Sequence, residues 1–206
     1  MNRTRLASLT QALMLAAALA AGWSANANTA VTVIGTDNLL QQPTGTAVLG
    51  YEFVAATDLT VTAIGILDAG SNGLSSPHTL AIWDDLGNVV IQLLVPAGGG
   101  ELDNGFRYLD INPLVLTADT KFVIGAYYFG GNGDSVAVAT SASDYVLDPA
   151  LTILGGRALT GSLGFPGEDT DEIYFGPNFR FTAVPLPGAA WLLISALGIM
   201  GALRRR

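Results

Sequence analysis

The chain has 206 residues, half of them hydrophobic, no cysteine and a formal charge of −8. Without cysteine there is no disulfide and no thiolate chemistry. All 17 acidic residues fall between Asp37 and Glu172, with only Arg107, Lys121, Arg157 and Arg180 among them, so the central region carries a net −13 and repels phosphate backbones. Nucleic acid is therefore not an expected partner.

The first 27 residues read as a signal peptide. Arg3 and Arg5 supply a positive start, an apolar run extends from Leu6 to Gly22, and Ala25-Asn26-Ala27 is a small-x-small cleavage site. The arginines stay on the cytoplasmic side while the apolar segment enters the membrane. Cleavage is expected after Ala27, and this segment takes no part in the fold.

Residues 28–183 follow, 156 positions, about one domain. They are punctuated as a β protein. VTVIG, AVLGYEF, LTVTAIGIL, HTLAIW, VVIQLLV, FRYLDI, KFVIGAYYF, SVAVAT and NFRFTAV are short runs rich in β-branched and aromatic residues. Turn signals such as DAGSNG, DDLGN, PAGGGELDNG and GGNGD separate them. Leu59 to Ile64 alternates in the strand period, and no segment of the region has helical periodicity. Nine or ten strands predict an all-β domain, an antiparallel β-sandwich of jelly-roll-like form. Trp83 to Val89 reads as a hairpin turn, and Ser141 to Pro166 reads as a long loop.

Residues 184–206 form the third part. Pro185 and Pro187 prevent a helix upstream. Gly188 to Leu203 is a 16-residue uncharged run, long enough as a helix for roughly 24 Å against a hydrocarbon core of about 30 Å. Trp191 suits the interface, and Arg204, Arg205 and Arg206 form a basic stop. A transmembrane helix over 188–203 is expected, with the domain facing away from the cytoplasm.

The order Val184-Pro185-Leu186-Pro187, apolar helix, arginine cluster resembles the PEP-CTERM sorting signal of Gram-negative bacteria. The family is named for Pro-Glu-Pro, where this chain has Pro-Leu-Pro. The resemblance implies recognition by an exosortase-like membrane transpeptidase. The chain would be held on the periplasmic side of the inner membrane and then passed to the cell surface or extracellular matrix. The stretches GYEFVAATDLTVTAIGILDAGSNGL, HTLAIWDDLGNVV and GFRYLDINPLVLTADTKFVIGAYY also resemble an uncharacterised secreted bacterial β-sandwich domain. That likeness implies a sandwich in an extracellular setting and no particular activity.

Several residues stand out as candidate sites, each with a plainer structural explanation beside it. Trp83, Tyr127 and Tyr128 form a candidate glycan-stacking face, although such rings also serve a core. Glu168, Asp169, Asp171 and Glu172 put four carboxylates in five positions, a run that needs a counterion, so calcium is the candidate cofactor. Asp68 to Gly73 and Gly130 to Asp134 carry oxygen side chains among glycines, which make turns without any metal. His78, the only histidine, has no partners spelled out around it. No nucleophile elbow, phosphate loop or metalloprotease motif is present. The expectation is a non-enzymatic surface or matrix protein with a structural or adhesive role in exopolysaccharide or biofilm. A carbohydrate-binding module is the alternative, and a glycan hydrolase the next.

Overall fold

A computed structural model of the chain describes residues 27–35, 39–131 and 133–183. The signal peptide apart from Ala27, and the whole of 184–206 with its sorting signal and expected helix, lie outside the described residues. Among the described residues, no helix is long and apolar enough to cross a membrane.

The described residues are built from antiparallel sheets, as their alternating pattern predicts. In chain order the strands begin with β1 (Asn28–Thr29), β2 (Val31–Val33), β3 (Leu40–Gln41), β4 (Ala47–Ala55) and β5 (Leu59–Leu67). They continue with β6 (His78–Asp84), β7 (Val89–Val95), β8 (Glu101–Asp103), β9 (Phe106–Leu116) and β10 (Lys121–Tyr128). The last are β11 (Val136–Ala139), β12 (Tyr145–Leu147), β13 (Leu151–Thr160), β14 (Glu168–Thr170), β15 (Ile173–Phe175) and β16 (Pro177–Ala183). One sheet has the order β1-β16-β5-β9-β8, and a larger one β14-β13-β4-β10-β6-β7. Two small sheets, β15-β11-β3 and β12-β2, complete the described set.

The two large sheets share one core. Phe53 of β4 meets Phe179 of β16 with ring centroids 5.1 Å apart. Ile64 and Ile66 from one sheet, and Leu80, Ile82 and Ile124 from the other, are fully buried in the same cluster. Val136 to Ala139 and Phe175 join it from the small sheet. The arrangement is sandwich-like. Each large ring contributes about 3–5 kcal/mol relative to alanine.

All nine runs read from the sequence contain strands. The segment Ser141–Pro166 corrects the sequence reading: it is not a long loop. It holds β12 and the ten-residue β13, which pairs with β4 from Leu151–Ala55 to Thr160–Ala47. The glycine pair Gly155-Gly156 hides this strand in the sequence by looking like a turn. Gly156 is required by packing, because a Cβ there would overlap the Glu172 carbonyl oxygen and Thr170 Oγ1. Pro113 lies inside β9, which is allowed because Ile111 to Pro113 bulge opposite Thr62 alone.

Candidate functional site

The most elaborate polar arrangement lies at one end of the sandwich. The β5–β6 connection (68–77) meets the β10–β11 connection (129–135) there, with the Asn104-Gly105 turn beside them. Two buried aspartates hold these loops. Asp68, only 2% exposed, accepts hydrogen bonds from the Gly73 amide at 3.0 and 3.2 Å. It also accepts one from Arg107 Nε at 2.7 Å. Arg107 belongs to β9, so this pair ties the loop to the five-stranded sheet.

Asp134 does the same from the other side. Its two oxygens accept from the Ser75 amide at 2.8 Å and the Ser76 amide at 3.0 Å. Its Oδ2 also lies 2.9 Å from His78 Nε2. His78 begins β6 and is fully buried. Its Nδ1 donates to the Tyr127 carbonyl oxygen at 2.9 Å, and its ring stands edge-on to Tyr128 with centroids 4.9 Å apart. Both ring nitrogens are thus committed to oxygens. The two turns that the sequence offers separately, Asp68–Gly73 and Gly130–Asp134, thus each supply an aspartate that holds the β5–β6 connection.

Beside Asp68 is a cleft of about 490 Å³, lined by Thr32, Leu40, Asp68, Ser71, Asn104 and Phe106 among others. Among the described residues, three non-glycine residues adopt positive φ: Ser71 (55°), Asn104 (48°) and Asp119 (56°). Two of these three line the cleft. Such conformations cost free energy and persist where the surroundings impose them, often at ligand sites. The cleft offers hydroxyls, an amide and an apolar wall, a composition suited to binding a neutral polar molecule. Asp68 is the only carboxylate among its described lining residues, and Arg107 and Gly73 already occupy it.

The glycan-stacking face is corrected by burial. Trp83 is 2% exposed and Tyr128 fully buried, so neither ring can present a face to a sugar. Trp83 projects from the outer side of the six-stranded sheet into a second small cluster with Val48, Ala81 and Val123. The β13–β14 connection folds over it, with Phe165 edge-on at 6.2 Å. Tyr128 points the other way, into the main core. Tyr127 is half-buried and stands edge-on to the exposed Phe129, 4.8 Å away.

The acidic run also takes a different form. Glu168 and Asp169 are exposed neighbours on β14, where strand alternation turns them to opposite faces. Asp169 pairs with Arg157 of β13, which also binds the buried Glu52 at 2.6 Å. Glu172 accepts a hydrogen bond from the Tyr174 hydroxyl at 3.2 Å. Within the run, Arg157 thus supplies a counterion to Asp169. Among the described residues, no group of three or more His, Asp or Glu side chains is placed to hold a metal ion. Of the terminal signals, Ala27 is the first described residue and is exposed. Ala25, Val184, Pro185, Leu186, Pro187 and Arg204 to Arg206 lie outside the described residues.

Asp68 and Asp134 were visible in the sequence only as turn formers. Their partners Arg107 and His78 are 39 and 56 positions away, and nothing local connects them. The Asn104-Gly105 pair was legible as a turn, but not as the wall of a cleft. Compared with known families and curated proteins, the chain matches no family model and no curated protein.

Proposed function

We propose that this is an exported protein of the cell surface or extracellular polymer matrix, with a structural or adhesive role. Residues 1–27 serve as its signal peptide. Residues 184–206 serve as a PEP-CTERM-like sorting signal, held in the inner membrane by the 188–203 helix until an exosortase-like enzyme processes it. The observation that carries this reading is the pairing of those two signals around a cysteine-free β domain. The described sheets draw on Asn28 to Ala183, which supports reading the terminal segments as export and sorting signals. We take the sandwich to be jelly-roll-like, supported by the chain's crossings between the two large sheets after β4, β5, β7 and β9. It acts as a scaffold and not as an enzyme.

The charge pattern narrows what it adheres to. Arg107, Arg157 and Arg180 are each paired with carboxylates, and Lys121 lies 3.7 Å from Glu52. A domain of net −13 whose cations are already engaged repels anionic polymers. The matrix partner is therefore a neutral exopolysaccharide. A second reading, a carbohydrate-binding module, is favoured by the cleft at Ser71 and Asn104 instead of by Trp83 and Tyr128.

The deciding experiment is mass spectrometry of the mature C-terminus from the native cell, with and without the sorting enzyme. A terminus near Pro185–Gly188 that reverts to Arg206 without the enzyme is the expected result. Arg206 in both samples overturns the sorting reading and leaves a permanently anchored protein.

A further inference from the structure

The two large sheets present four edges. β1 is two residues long. β14 is three residues long with Glu168 and Asp169, and β8 is three residues long with Glu101 and Asp103. Short or charged edges are the means by which sheets avoid pairing with other chains. The fourth edge, β7, has no such protection. Its seven residues, Val89-Val90-Ile91-Gln92-Leu93-Leu94-Val95, contain no charge and no proline. Among the described residues it pairs only with β6.

The side chains of β7 also look unfinished. Val89 is 55% and Leu94 57% exposed. Ile91 and Leu93 stand opposite Ile82 and Leu80, which are fully buried, yet are themselves only half-buried. The interior of the sandwich is therefore incompletely covered along this edge.

We infer that β7 pairs antiparallel with β7 of a second copy, about a two-fold axis through Gln92, making one continuous sheet across two molecules. The sequence is self-complementary in this register. Gln92 meets its symmetry mate, Ile91 meets Leu93, Val90 meets Leu94, and Val89 meets Val95. Apolar residues face apolar ones, and the central amides can bond to each other. The antiparallel sense follows from charge. The Asp84-Asp85 turn at the start of β7 lies beside the other copy's uncharged Pro96-Ala97-Gly98-Gly99-Gly100 loop. The two acidic turns then sit at opposite ends of the shared strands, roughly 20 Å apart and beyond about two Debye lengths. A parallel arrangement would set them side by side. The nearby β8 carboxylates are paired with Arg180, which reaches Asp103 at 2.8 Å and Glu101 at 3.2 Å. A self-pairing edge of this kind suits low affinity in solution and grows in strength when many copies share a surface.

The absence of native cysteine provides the test. In the purified full chain, Gln92→Cys is expected to form a disulfide-linked dimer under mild oxidation. Leu94→Cys, on the same strand and also exposed, is not, because its symmetry mate lies too far away. Sedimentation of Gln92→Lys and Gln92→Glu, each alone, should show self-association at least fivefold weaker than the parent. Mixing the two should restore the dimer. Monomeric parent protein at about 100 µM with no Gln92→Cys dimer overturns the inference, whether β7 is bare or covered by another segment. Equal cross-linking at 92 and 94 overturns the register.

Discussion

Replacing Asp134 by alanine removes one carboxylate and strands at least three partners. The Ser75 and Ser76 amides, at 2.8 and 3.0 Å, lose their acceptor. His78 Nε2, at 2.9 Å in a fully buried ring, loses its partner as well. Asp134 is only 7% exposed, so water does not readily replace it. Each stranded buried group costs about 1–3 kcal/mol. Taking about 4 kcal/mol, and 2–4 °C per kcal/mol for a domain of this size, the melting temperature falls by roughly 10 °C. Thermal and urea unfolding should agree, with the urea m value unchanged. A double-mutant cycle with His78→Phe isolates the pair, since phenylalanine keeps a ring against Tyr128. A coupling of about 1–3 kcal/mol is expected. A loss under about 1 kcal/mol for Asp134→Ala, or no coupling, would refute the assignment of Asp134 as the anchor of this end.

The hairpin Asp84 gives a pH-dependent prediction. The Asn88 side-chain amide, then the Asn88, Leu86 and Gly87 backbone amides, hold its carboxyl below the usual range. Its contribution is present above the unfolded value near pH 4 and is lost as pH falls through the lower folded value. The gap in melting temperature between the parent and Asp84→Asn should therefore narrow from pH 5 to below pH 3. At the alkaline side, burial pushes the hydroxyls of Tyr51, Tyr108 and Tyr128 well above the usual tyrosine range. Stability from these groups is complete below about pH 10 and declines above it. Three of the six tyrosines should stay protonated in a spectrophotometric titration until the domain unfolds. Tyr128→Phe removes a buried hydroxyl with no hydrogen-bond partner among the described residues, and should be neutral or stabilising by about 1 kcal/mol in urea unfolding. Asn104→Gly keeps the φ of 48° at no strain and removes the amide from the cleft. It should leave the melting temperature nearly unchanged and reduce retardation in gels containing a neutral polysaccharide, if the cleft is where glycan binds.

The sequence by itself determined the strands whose pattern is local. β-branched alternation and glycine-rich turns mark β5, β6, β9 and β10 without reference to anything distant, and the Asp84–Asn88 hairpin closes on itself. Tertiary structure decided the rest. β13 is a strand because β4 offers a nine-residue partner and because Gly156 lets the Glu172 carbonyl approach, neither of which local composition expresses. Trp83 and Tyr128 have the same aromatic signature as a sugar-binding face. Whether such a ring is buried depends on what crosses over it, here Phe165 for one and the opposite sheet for the other. Arg157 reaches Glu52 across 105 residues, and His78 reaches Asp134 across 56. A charge in the sequence states only a need for a partner; the fold decides which partner is within 3 Å.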